Sequence, residues 1–292
     1  MKKDIIELFI YLDDFCKDYE VFMAKNLLSH GSHKKPTRIP CLAISEIMTV
    51  MILFHQSPCK NFKYFYLSYL QNYTEEFPCL PSYNRFVELQ QRCLGHFHAL
   101  LMVLCMLAQQ TGVNYIDATC VPVCHNKRTS RHKVFKGLAA LGKSTMGWFF
   151  GFKLHLVINE KGDLLNAQLT PGNVDDRKPV WQMVCRLTGL LFADKGYIDK
   201  HLFQDLYENG LKLVTGIKKN MKNKLMDLNE KILLRKRSII ETVNGVLKTD
   251  FQLVHTRHRS FINGFIHIFS TLVAYCLKAK KPRIKFEHLI PN

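Results

Sequence analysis

No two cysteines in this chain stand in a C-x-x-C pair. The ten present are scattered through a long sequence rather than crowded into a short one. That excludes a small disulfide-stapled scaffold and predicts reduced, mostly buried thiols. Cys120-x-x-x-Cys124-His125 resembles half a zinc site, but no second half with ligand spacing follows. Long apolar runs are also missing. The longest, Phe261 to Leu277, contains Asn263 and His267 and falls short of the roughly 20 residues a spanning helix needs. The start, Met1-Lys2-Lys3-Asp4, leads into Glu7, Asp13, Asp14 and Lys17, without the apolar stretch of a secretory signal. A soluble protein is therefore expected. Internal repeats and low-complexity tails are absent as well. Acidic residues are few: 24 Asp and Glu face 41 Lys and Arg, a formal net charge of +17. The matching pI near 9.4 points to a polyanionic partner, nucleic acid or an acidic membrane surface.

What is present is a globular composition, 47% hydrophobic over 292 residues, enough for one large or two modest domains. Residues 1 to about 110 read as helical. Ile5, Ile6, Leu8, Phe9, Leu12 and Phe15 recur at helical spacing, and Val21, Phe22, Leu27 and Leu28 extend the pattern. The basic break His30–Arg38 precedes a second helix, Leu42 to Gln56, closed by Ser57-Pro58. A third, Phe62 to about Asn72, is rich in Tyr and Phe, and its aromatics are expected in the core. A long helix from Ser82 to Gln110 completes an all-α N-terminal bundle.

At Thr111-Gly112 the pattern changes. Asn114–Val123 and Trp148–Asn159 read as strands, and the turn Glu160–Asp163 folds the second onto Leu164–Leu169 as a hairpin. A helix from Asp176 to Thr188, a strand Leu190–Ala193, a helix to Glu208 and a strand Leu211–Ile217 follow. Helices at Lys236–Thr249 and Ser260–Lys278 close the pattern. Paired strands followed by strands alternating with helices predict an α/β fold, a mixed sheet flanked by helices. The basic segment His125–Lys133 and the glycine-punctuated stretch to Gly147 read as a surface loop, either merely solvated or ordered on a phosphate backbone.

Three carboxylates sit where carboxylates are unusual. Asp117 interrupts the apolar strand Tyr115-Ile-Asp-Ala-Thr-Cys-Val121. Alternation places it on one face with Tyr115 and Thr119, where a covering helix would force it to be paired, hydrogen-bonded or metal-bound. Asp194 follows the short strand Leu190–Ala193, at a carboxyl end where ligand groups collect in open α/β sheets, or where an aspartate simply caps the next helix. Glu241 lies on a helix whose Ile239, Ile240, Val243, Val246 and Leu247 face one way. Arg237, Glu241, Asn244 and Lys248 form a stripe on the other, at about 100° per residue. Three such carboxylates together would repel unless divalent cations lay among them, and hard oxygen ligands suit magnesium or manganese. Two such ions serve phosphodiester displacement, and a basic protein holds the polyanionic substrate.

Tyr115–Cys124, Gly147–His155, Leu169–Asp176, Ala193–Tyr197 and Arg237–Asn244 with Lys248, in this order, resemble bacterial insertion-sequence transposases of the DDE class. The resemblance spans roughly residues 111 to 280. It implies a ribonuclease H-like catalytic domain at 111–281, a helical DNA-binding domain at 1–110 and a C-terminal tail at 282–292. By position, Asp117, Asp194 and Glu241 would be the catalytic, metal-binding residues, holding two ions of Mg2+ or Mn2+. Asp175 and Asp176 are rivals for the second place, although they also read as caps. Arg237 and Lys248 match basic positions flanking the glutamate, while Leu234 stands where a related signature has tyrosine. Lys153, His155, Lys195 and Arg131 are further candidate DNA contacts, along with the runs Lys218–Lys224 and Arg235–Arg237.

The implied function is metal-dependent cleavage at the element's ends and strand transfer into target DNA. Its partners would be double-stranded DNA (terminal inverted repeats and target) and a second copy of the chain, in the nucleoid-containing cytoplasm of a bacterium and away from membranes. The rivals are a nuclease that cuts without joining and a DNA-binding protein with a degenerate catalytic domain.

Overall fold

The computed structural model describes residues 2–26, 41–145, 147–217 and 226–284. The basic stretches His30–Arg38 and Lys218–Lys224 lie outside the described residues, as does most of the expected 282–292 tail. The chain divides into two compact units. One comprises residues 1–103, 250–253 and 259–277, the other residues 104–249, 254–258 and 278–292.

The first unit is helical. Its elements are α1 (Lys2–Asn26), α2 (Ile44–Gln56), α3 (Phe62–Tyr64), α4 (Tyr83–Leu89), most of α5 (Leu94–Leu107) and, from the far end of the sequence, a helix over Phe261–Cys276. Helix α2 begins where the Glu46 carboxylate turns back to accept the Ala43 N–H at 2.6 Å and stops at the Ser57 cap. It is buried on nearly every side, which explains its near-continuous apolar sequence. The expected third helix changes pitch. After α3 it passes through a π turn at Phe65–Tyr69 and a 3₁₀ turn at Leu70–Tyr73 as its bulky rings pack into an aromatic cluster with Phe54, Tyr83 and Phe86. The expected Ser82–Gln110 helix is likewise broken, by a 3₁₀ turn at Gln90–Cys93.

The terminal helix departs from the expected domain assignment, because it joins the N-terminal helices rather than the sheet. Its face is apolar but carries a polar seam. The buried His55 of α2 bonds the Phe251 carbonyl through Nδ1 at 2.7 Å and Ser270 Oγ through Nε2 at 2.8 Å. Burial, with His267 nearby, holds the His55 imidazole well below its ordinary pKa, so it bonds as a neutral ring.

The second unit is built on one mixed sheet. Its strands are β1 (Val113–Cys124), β2 (Ala140–Ser144), β3 (Gly147–Asn159), β4 (Leu164–Pro171), β5 (Gly189–Ala193) and β6 (Leu211–Thr215). Strand β3 is antiparallel to β1 on one edge. On its other edge β2 and β4 lie end to end, both antiparallel to it. Strands β5 and β6 continue the sheet beyond β1 in parallel. The spatial order β4-β3-β1-β5-β6, a meander followed by two crossover strands, is that of a ribonuclease H-like fold.

Helices α6 (Val180–Val184) and α7 (Lys200–Glu208) bury Val180, Met183, Val184, Leu202 and Leu206 against Ile116 and Val157 on one face of the sheet. Helix α8 (Leu228–Arg235) packs on β5 and β6, and α9 (Ser238–Thr249) on β1; the terminal helix of the first unit is α10. Helix α6 is shorter than the expected Asp176–Thr188. Pro179 lacks an N–H and disfavours helical backbone at Lys178, so the helix starts after it. Of the ten cysteines, five are buried and three exposed.

Strand β2 and helix α8 are not foreshadowed by the sequence pattern, in which 125–147 reads as a surface loop and the helix after β6 begins at Lys236. Glycines make the docking of β2 possible. A Cβ at Gly151 would stand 2.2 Å from the Val121 carbonyl oxygen, and one at Gly142 would stand 2.2 Å from that of Gly172. Gly151→Ala should therefore destabilise the second unit by about 1–3 kcal/mol, as overpacking does. Chemical denaturation followed by circular dichroism measures this, and an unchanged midpoint would remove the close approach.

Candidate active site

Parallel pairing between β1 and β5 ends at Tyr115 and Phe192. Asp117 lies two residues past the first and Asp194 two past the second. The two carboxylates therefore stand at matching levels on neighbouring strands and, by strand alternation, on the same face. The strands part where both aspartates begin. Glu241 arrives from α9, which buries Ile239, Ile240, Val243 and Leu247 and leaves Glu241 exposed. One turn on, buried Asn244 donates through Nδ2 to Asp117 Oδ2 at 3.1 Å.

Asp117, Asp194 and Glu241 line one cleft of about 1210 Å³, together with Asp176, Tyr197, Lys153, Arg237 and Lys248. Burial pushes the Asp117 carboxyl up to about 6. The Arg237 guanidinium and the Ala118 backbone amide pull against this, while Glu241 and Asp194 add to the rise. The Tyr197 phenol is driven far above its ordinary range, first by burial and then by Asp117, Asp176 and Asp194. Its hydroxyl has no hydrogen-bond partner among the described residues.

The oxygen-rich donor set is the kind that hard divalent cations take. The side chains are not drawn together to ligand distance, however. Among the described residues no three His, Cys, Asp or Glu side chains are grouped closely enough to hold a metal ion. Glu241 Oε1 is engaged by Arg237 at 2.6 Å, with its side chain 56% exposed, and Asp194 Oδ1 accepts the Lys195 N–H at 2.7 Å. The Arg237–Glu241 pair is partly exposed, so freeing Glu241 costs little, while Asp194 caps the turn that follows it. The residues fit cation binding in their oxygen chemistry and shared cleft, and not in their present spacing.

The other expected contacts divide. Arg237 and Lys248 line the cleft. Lys153 also lines it, but its ammonium is occupied by Asp176 Oδ1 at 2.8 Å and the Val174 carbonyl at 2.9 Å. Asp175 is held by Arg177, which keeps its carboxyl well below the usual range, a structural turn as its capping alternative implies. Lys195 and Arg131 are exposed, the latter ending a 3₁₀ helix at Asn126–Arg131. His155 is a correction. The register sets it opposite Ala118, on the face away from Asp117. It is fully buried, and its Nε2 bonds Thr170 Oγ1 at 2.8 Å. Burial lowers its pKa to about 4, so it offers no charge and no surface to DNA. Sequence reasoning passed over Tyr197 and the cleft residues of the β2–β3 hairpin, Lys143, Ser144 and Trp148. The tyrosine sat in the quoted Ala193–Tyr197 stretch, and nothing local marked it as facing three aspartates.

A family model described as a transposase DDE domain matches residues 107–261, more than half of the chain. The chain belongs to the DDE transposase family. That family comprises nuclease and transferase enzymes that use divalent metals, and its model spans the β1 strand, the β5 end and the α9 helix that line the cleft. No curated protein matches the chain. A solved structure, "Crystal structure of a pre-cleavage Mos1 transpososome", aligns at 12% identity over 90% of this chain and 86% of that one. Its TM-score of 0.22 is too low to carry an argument. Among the described residues of this DDE transposase, no helix is long and apolar enough to cross a membrane.

The raised Asp117 pKa has a consequence for stability. Between its ordinary value of 3.8 and about 6 the folded state binds the proton more tightly than the unfolded one. The ionised carboxylate therefore destabilises the fold above pH 6 and ceases to do so as pH falls toward 4. Asp117→Asn should raise stability at neutral pH in EDTA by about 1–3 kcal/mol, with the gap closing near pH 4. Urea melts at the two pH values check this; a gap that does not close with acid would remove the ionised Asp117 as its source.

Proposed function

We propose that this transposase cuts DNA at the ends of an insertion sequence and transfers the freed strand into target DNA, with Asp117, Asp194 and Glu241 as its catalytic, metal-binding residues. The observation that carries this reading is the convergence of all three carboxylates on one cleft, two of them at matching levels of adjacent strands. Two divalent cations, Mg2+ or Mn2+, held by these residues would supply Lewis-acid activation of an attacking oxygen and stabilisation of the leaving one.

The chain's own groups do the rest. Asn244 holds Asp117 in orientation by donating to Oδ2. Arg237 at present neutralises Glu241 and, with Lys248, offers positive charge to the phosphate backbone. Lys195 and Arg131 extend that charge beyond the cleft, while Lys153 holds Asp176. Buried His155 supports the strand and is left out of the DNA contacts. The helical unit binds the terminal inverted repeats, in the manner of a helix placed in a major groove. Two copies of the chain on DNA hold both ends of the element in the bacterial cytoplasm.

Replacing Asp117, Asp194 or Glu241 by Ala should each lower strand cleavage by roughly 10³-fold, since several kcal/mol of charge stabilisation are lost, while DNA binding stays largely intact. Gel assays on end-containing duplexes with Mg2+ or Mn2+ measure both. Retained cleavage in one variant removes that residue from the site. Precleaved ends that yield no joined product would make the chain a nuclease only, and the absence of any metal-dependent activity would leave a DNA-binding protein.

A further inference from the structure

Trp148 is a bulky apolar side chain left 57% exposed at the start of β3, although Phe149 and Phe152 beside it are 5% and 4% exposed. It lines the same cleft as the three carboxylates. The pairing of β2 with β3 sets Lys143 directly across from it, so both side chains leave the hairpin on one face. The Lys143 ammonium stands over the indole, 5.7 Å from its centroid. The chain's other tryptophan, Trp181 on α6, is not part of the cleft.

The platform is fixed from below. Ser144 Oγ donates to the Gly147 carbonyl at 3.1 Å and Asn126 Nδ2 to the Trp148 carbonyl at 2.5 Å. Gly142 brings β2 against the Gly172 backbone. A strand carrying an exposed indole and a nearby cation is suited to a ligand with both a π face and a negative charge. Nucleotides carry both. Within a duplex each base has its faces covered by its neighbours, so the indole requires an unstacked base, at a strand end or displaced from the helix.

We propose that Trp148 and Lys143 form a nucleotide-binding platform on the cleft wall, the indole stacking on an unpaired nucleobase of the DNA strand and the ammonium meeting its phosphate. This rests on the reading of the cleft as the DNA site, yet needs neither metal nor cleavage. The probes are a labelled mixed-sequence single-stranded oligodeoxynucleotide and an abasic strand of the same length, both in EDTA.

Trp148→Ala should weaken binding of the base-containing strand by about 10-fold or more, in the range of alanine substitutions at stacking aromatics. Trp148→Phe should keep most of the affinity, and the abasic strand should be indifferent to either change. In a Trp181→Phe background the remaining Trp148 emission should be quenched by the base-containing strand and not by the abasic one. This readout holds even if the alanine variant folds poorly. Equal quenching by both strands, or no quenching while the wild-type chain still binds both, overturns the platform alone. A wild-type chain that binds neither strand nor duplex overturns the DNA reading of the cleft and the platform with it.

Discussion

The arrangement depends on one half-buried carboxylate held at the mouth of a cleft that two others also line. Asp117 sits where β1 leaves β5. Above that point backbone pairing closes the sheet, and below it the strands open the cleft. Burial and two like charges disfavour ionisation at that position, and only Asn244, the Ala118 amide and the Arg237 guanidinium oppose them. An ionised carboxylate there destabilises the fold, and nearby positive charge offsets the cost.

The rest of the second unit serves to hold this position. Helices α6 and α7 close the face away from Asp117 with a continuous aliphatic core, so the cleft is confined to the end of the sheet. Helix α9 is amphipathic for the same reason. Its aliphatic side anchors it on β1, which fixes Asn244 against Asp117 and leaves Glu241 at the surface, paired with Arg237.

Much of this was legible from residue order. Strands β1, β3, β4, β5 and β6 and helix α9 follow from apolar periodicity because each has one face or both faces buried, and burial imposes the period. The elements that were misread answer to other forces. Strand β2 is glycine-containing and half-exposed, and it is specified by close backbone approach to Gly172 rather than by its own pattern. The breaks in the aromatic and Ser82–Gln110 helices reflect packing of large rings and a local tightening that leaves no mark on periodicity. His155 looked like a surface strand histidine because alternation gives a face without saying whether a helix covers it.

The sequence by itself determined the excess of positive charge, the mixed sheet, and three carboxylates placed in a strand, at a strand end and on a helix stripe, since these depend on composition and local spacing. Tertiary structure alone decided that α10 joins the N-terminal helices, that Tyr197 and Asp176 face the same cleft, and that Trp148 stands beside Lys143. Those outcomes depend on which strand pairs with which and in what register. That is settled by contacts between residues far apart in the chain, where no local pattern reaches.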